Sequence, residues 1–120
     1  MTFEQFKAVA EAHRPDAVVS KHGEFAQCDV GIYFIGANGR QSRVYNYRGS
    51  YADILRKLGI KVATQEDLLN VEQWLSHYKE CHGKESLFGK GIRDCSKQIA
   101  EYEARLAEIM SDRYVRIWEF

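Results

Sequence analysis

The stretch from Cys28 to Gly59 constrains the fold most, because several local signals within it agree. From Val30 to Ile35, both alternating sets of residues are largely apolar, which is typical of a strand covered on both faces. Asn38-Gly39 predicts a type I′ turn, since both central residues must accept a positive φ. Val44 to Tyr47 is rich in β-branched and aromatic residues and predicts a returning strand. The sequence therefore predicts a β-hairpin at the centre of the chain.

A helix is predicted to follow this hairpin. Ser50 is a suitable N-cap, and Asp53 stands at the capping-box position. Gly59 ends the helix in the left-handed conformation that glycine tolerates, and Ile60 is the expected hydrophobic partner of a Schellman-type cap.

Three further helices are predicted from caps and apolar periodicity. Thr2 with Gln5 and Thr64 with Asp67 form capping boxes, and Asp94 is the predicted N-cap of the last helix. Pro15 marks the end of the first helix. The last helix carries an a/d-like seam: Cys95, Ile99, Tyr102, Leu106 and Ile109. The seam favours a hairpin with the preceding helix, and a homodimer through the helix from Cys95 to Ile109 stays open.

Two short strands complete the prediction, at Ala17 to Ser20 and at Tyr114 to Phe120. With strands gathered early and helices late, the expected class is α+β. We expect a small, mainly antiparallel sheet with a central β-hairpin, covered by about four helices. The length of 120 residues predicts a single domain over residues 1–120.

Composition narrows the functional classes. The 17 basic and 17 acidic residues cancel, so global attraction to nucleic acid is not indicated, although a local patch remains possible. No apolar run approaches a membrane span, and the first helix lacks the features of an export signal. The three cysteines are therefore expected to be reduced thiols in a cytoplasmic protein.

Candidate partner-binding residues lie on the second hairpin strand. Alternation places three side chains on one face, two arginines flank them, and Tyr33 of the first strand is expected nearby; the five predicted binding residues are Arg40, Arg43, Tyr45, Tyr47 and Arg48. Such a surface suits a protein hot spot or the stacking of unpaired bases. Alternatively, the tyrosines lie beneath helices with only their hydroxyl groups in water.

No catalytic, cofactor or metal site is predicted. His77 and Cys81 lie four residues apart on one helical face, with His82 adjacent and Cys95 in reach across a helix hairpin. Without a CxxC or a second ligand pair, a core-edge histidine and a buried thiol are favoured. No thiol or carboxylate stands in a recognised nucleophile motif, so we expect a protein that is not an enzyme.

Two segments carry a resemblance to a class of proteins: HGEFAQ at residues 22–27 and VYNYRGSYADILRKLGIKV at residues 44–62. They resemble small accessory proteins of bacteriophages and integrative elements, some of which are anti-CRISPR inhibitors. The resemblance implies a non-catalytic protein in the cytoplasm of a bacterial host that binds a CRISPR nuclease or its guide-RNA complex. It transfers no individual residue. The alternative function is a nucleic-acid-binding module that uses the same arginine–tyrosine face.

Overall fold

The computed structural model describes residues 1–22, 29–84 and 91–120. Its helices and strands, in chain order, are α1 (Phe3–His13), β1 (Ala17–His22), β2 (Val30–Phe34), β3 (Tyr45–Tyr47), α2 (Tyr51–Lys57), β4 (Val62–Ala63), α3 (Gln65–Cys81), α4 (Ser96–Ile109) and β5 (Val115–Arg116). The residues group into two compact units: Met1–Val62 with Ile117–Phe120, and Ala63–Arg116. The α+β class is confirmed, and a single domain stays a prediction.

The first unit is built on an antiparallel sheet in the order β1–β2–β3. Helix α1 packs against β1, and its Phe6 and Ala10 are fully buried. The largest fully buried side chains of the described residues include Val30 and Ile32 of β2 and Ile54 of α2. The sheet with its hairpin was predicted, and β1 extends two residues beyond the predicted Ser20.

The predicted N-caps of α1 and α2 are confirmed, but α2 has only the Ser50 half of its predicted capping box, and the Asp53 carboxylate lies 3.8 Å from Arg56 instead. Thr2 and Gln5 form the reciprocal capping box of α1. The Ser50 hydroxyl accepts the Asp53 N–H at the start of α2. At its end, Ile60 N donates to Leu55 O over 3.1 Å and Gly59, with φ of 82°, donates to Arg56 O over 2.9 Å. This pair of bonds is the predicted Schellman motif.

The second unit contains α3 and α4, which pack against each other as predicted. Thr64 and Asp67 form the capping box of α3. Helix α4 begins at Ser96 with Cys95 at the N-cap, one residue later than predicted. Asp94 still serves that end of the helix, because its carboxylate accepts the Ser96 N–H over 3.0 Å.

The predicted closing strand is shorter than expected. Only Val115–Arg116 are extended, and they pair with β4 in a two-stranded sheet. The following residues, Ile117–Glu119, form a 3₁₀ helix instead, closed by a bond from Phe120 N to Ile117 O. Within the described residues, no helix combines the length and the apolar character that crossing a membrane requires.

Candidate interaction surface

The loop of the hairpin differs from the predicted type I′ turn. Gly39 N donates to Gly36 O, and Gly36 N donates to Arg40 O, each over 2.9 Å. The loop therefore has three residues, with Gly39 at φ of 78° in the last position. Such a loop consists of a β-turn, here with Ala37 and Asn38 as its central residues, followed by a glycine in the left-handed conformation. Arg40 lies exposed at the end of this loop.

One additional residue enters the returning strand at Ser42. Ile35 pairs with Gln41, but Ile32 pairs with Tyr45, so the register shifts between these two positions. The Ser42 hydroxyl accepts the Phe34 N–H over 2.9 Å and donates to Arg43 O over 2.8 Å. In a regular ladder the Phe34 N–H would donate to a backbone carbonyl of the returning strand. At the bulge the Ser42 hydroxyl takes the place of that carbonyl.

The register places the two tyrosines of β3 on the face of the sheet that carries the core. Tyr45 stands opposite Ile32 and Tyr47 opposite Val30, and opposed residues share a face. Tyr33 stands opposite Val18, so its ring lies on the other face. The expectation that Tyr33 joins the patch was wrong, because the register was not visible in the sequence.

Two arginines and two aromatic rings form a continuous row, which we call the arginine–aromatic row. The Arg14 guanidinium carbon lies 5.2 Å from the Phe34 ring centre. Phe34 contacts Tyr45 with ring centres 6.0 Å apart, and Arg43 lies 4.8 Å above the Tyr45 ring. Tyr45 is 39% exposed, and Arg43 is exposed. The row is therefore accessible at its β3 end, and each cation–π contact limits the motion of its arginine.

Arg14 is held firmly at the other end of the row. It makes two hydrogen bonds to the Asp16 carboxylate, over 3.0 and 2.9 Å, and a third to Leu58 O over 2.7 Å. The side-chain hydrogen bonds raise the pKa of Arg14 and lower the pKa of Asp16, because both favour the charged forms. Sequence reasoning missed Arg14, and the only sequence signal at hand was Asp16 two residues away.

The remaining predicted residues lie along the same hairpin. Tyr47 is half-buried at the end of β3. The Arg48 side chain is 81% exposed and pairs with Asp29 over 3.4 Å. Gly49, with φ of 115°, leads into the Ser50 cap of α2. Of the five predicted binding residues, the structure brings Arg43 and Tyr45 into contact.

A second aromatic cluster lies in the second unit, between α3 and α4. Trp74 stacks on Tyr78 with ring centres 5.8 Å apart, and Tyr78 contacts Tyr102 over 5.6 Å. Arg105 lies 4.8 Å above the Tyr102 ring and pairs with Glu101 over 2.7 Å. The predicted seam of α4 thus contacts α3 at Tyr102, and a homodimer through this helix stays a prediction.

The histidine and cysteine candidates serve other contacts. Cys81 lies 3.9 Å from the His77 ring nitrogens. His82 accepts the Cys95 N–H on Nδ1 over 3.0 Å, so a backbone donor occupies that nitrogen. Within residues 1–22, 29–84 and 91–120, no three His, Cys, Asp or Glu side chains are grouped to hold a metal ion. Cys28 lies outside the described residues.

The chain was compared with protein-family models, with curated proteins and with solved structures, and none of the three comparisons found a match.

Proposed function

We propose that this chain is a small, non-catalytic interaction protein of a phage or mobile element that binds and blocks a CRISPR effector nuclease in a bacterial cytoplasm. The observation that supports an interaction role is the arginine–aromatic row, whose exposed end is formed by Arg43 and Tyr45. The class of partner rests on the resemblance at residues 22–27 and 44–62.

The row has the properties of a binding hot spot. Tyrosine and arginine are enriched among residues that dominate interface energetics. Arg43 is already ordered on the Tyr45 ring, so less side-chain entropy is lost when a partner covers the pair.

The charge of the hairpin indicates which surface of a nuclease it fits. Residues 30–52 contain three arginines and no acidic residue. The channel that holds the guide heteroduplex is positively charged and would repel them. Nuclease active sites hold Mg²⁺ with carboxylates and present negative charge when the metal is absent. A carboxylate-lined surface is therefore the favoured contact.

The second candidate function is a nucleic-acid-binding module that uses the same residues. Its support is the combination of arginines with exposed aromatic rings, which is typical of single-strand stacking platforms. Arg43 already covers one face of Tyr45, so a base would have to displace the guanidinium or stack upon it. This geometry favours the protein partner.

The proposal is tested by affinity capture with the full chain from a bacterial lysate that contains a CRISPR nuclease. The capture is run with and without digestion of nucleic acid. A stoichiometric effector protein that survives digestion is the expected result. If capture disappears on digestion, the nucleic-acid module replaces the proposal, and if no effector is captured under either condition, the proposed partner is wrong.

The binding face is tested by replacing both tyrosines, Tyr45→Ala with Tyr47→Ala. We expect the captured complex to weaken by about 2 kcal/mol or more, roughly 30-fold in Kd, because hot-spot rings are lost. Tyr33→Ala is the matched control, since its ring lies on the opposite face. Unchanged affinity in a folded double variant, or an equal loss in the control, would contradict the assignment.

A further inference from the structure

Among the described residues, the two edges of the three-stranded sheet differ in what contacts them. On β1, the outward backbone groups of Val19 are both occupied by side chains of α1. Val19 N donates to Glu11 Oε1 over 3.1 Å, and Lys7 Nζ donates to Val19 O over 2.9 Å. Lys7 and Glu11 also pair with each other over 3.3 Å. At Val19 the edge of β1 is therefore closed to an additional strand.

The backbone directions of β3 follow from the same register. The backbone N–H and C=O of Val19 point away from β2. Ile32 of β2 stands opposite Val19, so the pair is not hydrogen-bonded and the N–H and C=O of Ile32 point toward β3. Ile32 stands opposite Tyr45, so the backbone N–H and C=O of Tyr45 point toward β2. The backbone N–H and C=O of its neighbours Val44 and Asn46 therefore point to the outer edge of the sheet. Val44 is 50% exposed, Asn46 is exposed, and among the described residues β3 pairs only with β2.

The charge along this edge restricts what can pair with it. Arg40, Arg43 and Arg48 border β3, and Arg48 pairs with Asp29 over 3.4 Å. The sequence has no acidic residue between Asp29 and Asp53, so Arg40 and Arg43 leave this edge positively charged. A second copy would bring the arginines of one edge against those of the other, which is unfavourable. An extended strand with acidic side chains meets opposite charge instead.

We propose that the outer edge of β3 binds an extended acidic segment of a partner protein as an added antiparallel strand. The backbone groups of Val44 and Asn46 form the new ladder, and Arg40 and Arg43 select acidic side chains. The inference goes beyond the proposed function, because this edge takes such a segment whatever protein carries it.

The test uses the full chain and a synthetic peptide of about eight alternating valine and glutamate residues. Amide exchange with water is measured by NMR. With a Kd on the order of 1 mM, about 5 mM peptide should slow exchange at Val44 and Asn46 roughly sixfold, since only the free fraction exchanges. A valine–lysine peptide of the same length is the charge control and should leave both amides unchanged.

A pair of variants separates backbone pairing from side-chain contact. Asn46→Pro removes the outward N–H and leaves the inward-facing groups of Tyr45 in place. Asn46→Ala removes the side chain and keeps the N–H. We expect the peptide effect to vanish in the proline variant and to persist in the alanine variant. If the proline variant unfolds, the wild-type exchange measurement decides alone.

Several results would overturn the proposal. They are unchanged exchange at Val44 and Asn46 with the glutamate peptide, equal slowing by the lysine peptide, and an equal effect of the two Asn46 substitutions. Slowing that grows with protein concentration in the absence of peptide would assign the edge to a second copy. If the peptide binds but no nuclease is captured, the proposed function is wrong and strand binding at β3 stands. If a nuclease is captured but the peptide does not bind, strand binding at β3 is wrong and the proposed function stands.

Discussion

Arg14 connects parts of the chain that are far apart in sequence. Its guanidinium bonds Asp16 and the carbonyl of Leu58, 44 residues away, and lies on the ring of Phe34. The sequence contains no periodicity or motif that pairs residues at these separations. The sequence therefore predicted that Tyr45 and Arg43 belong to a binding patch. It could not predict that Arg14 contacts Phe34 at the other end of the arginine–aromatic row.

The Arg14–Asp16 pair makes stability depend on pH. The folded chain lowers the pKa of Asp16 through its hydrogen bonds to Arg14, so ionised Asp16 stabilises the folded state above its unfolded pKa. That contribution is lost as the pH falls through the lower folded pKa. We expect wild type to lose more stability than Asp16→Asn between about pH 5 and about pH 2, as measured by urea unfolding.

Arg14→Gln is the control for this pH dependence. It removes the partner of Asp16, so its curve should follow that of Asp16→Asn. Parallel curves for wild type and both variants would contradict the role of the pair.

Gly31 is required where Val44 and two residues of β1 meet. A Cβ at Gly31 would lie 2.9 Å from Ser20 Oγ, 3.1 Å from Lys21 Cγ and 3.1 Å from Val44 Cγ1. We expect Gly31→Ala to lower the free energy of unfolding by about 1–2 kcal/mol, because the neighbours must shift. Urea unfolding measures the change.

Ser20→Ala removes the atom nearest to the added methyl group, but it also removes the 2.8 Å hydrogen bond that Ser20 Oγ donates to Gly31 O. We therefore expect the Ser20→Ala, Gly31→Ala double variant to lose less stability than the sum of the two single variants. A Gly31→Ala chain as stable as wild type would show that the strands absorb the methyl group without cost.

At the scale of elements, the N-caps of α1, α2 and α3 and the C-terminal end of α2 were predicted, whereas the N-cap of α4 and the form of the hairpin loop were not. The caps at Thr2, Ser50 and Thr64 join residues three positions apart, so the sequence contains the whole interaction. In the loop after β2, the Asn38-Gly39 pair is compatible with a two-residue type I′ turn and with a three-residue loop that ends in a left-handed glycine. The bulge at Ser42 moves the register by one residue, and the three-residue loop accompanies it.

Helix α1 also protects the edge of β1. Replacing Lys7→Ala and Glu11→Ala frees both backbone groups of Val19. We expect a loss of about 1–2 kcal/mol in stability, together with association that increases with concentration, because an uncovered edge can recruit another strand. Light scattering over a concentration series detects the association.

Glu4→Ala on the same helix is the matched control and should remain unassociated, since Glu4 is exposed in the first turn. A double variant that stays at the wild-type particle size would show that the β1 edge needs no cover.

At the scale of the whole chain, the balance of charge distinguishes the two candidate functions. The 17 basic and 17 acidic residues cancel, so binding of nucleic acid would depend on a local positive surface such as the arginines of the hairpin. We expect a labelled single-stranded oligonucleotide to bind more weakly than about 100 μM at about 50 mM salt, as measured by fluorescence anisotropy.

Arg40→Gln with Arg43→Gln is the control for this measurement and should not change the signal. Micromolar binding that falls steeply with salt and disappears in the double variant would instead establish the nucleic-acid module.

The sequence by itself determined the features that depend on near neighbours. The caps, the Gly59 helix end and the existence of a hairpin all follow from residues a few positions apart. The tertiary structure alone decided the register of β3, the face on which Tyr33 lies, the contact of Arg14 with Phe34 and the occupation of the outward backbone groups of Val19 by α1. Each of these depends on which strand and helix become neighbours, and long-range packing decides that rather than local conformational preference.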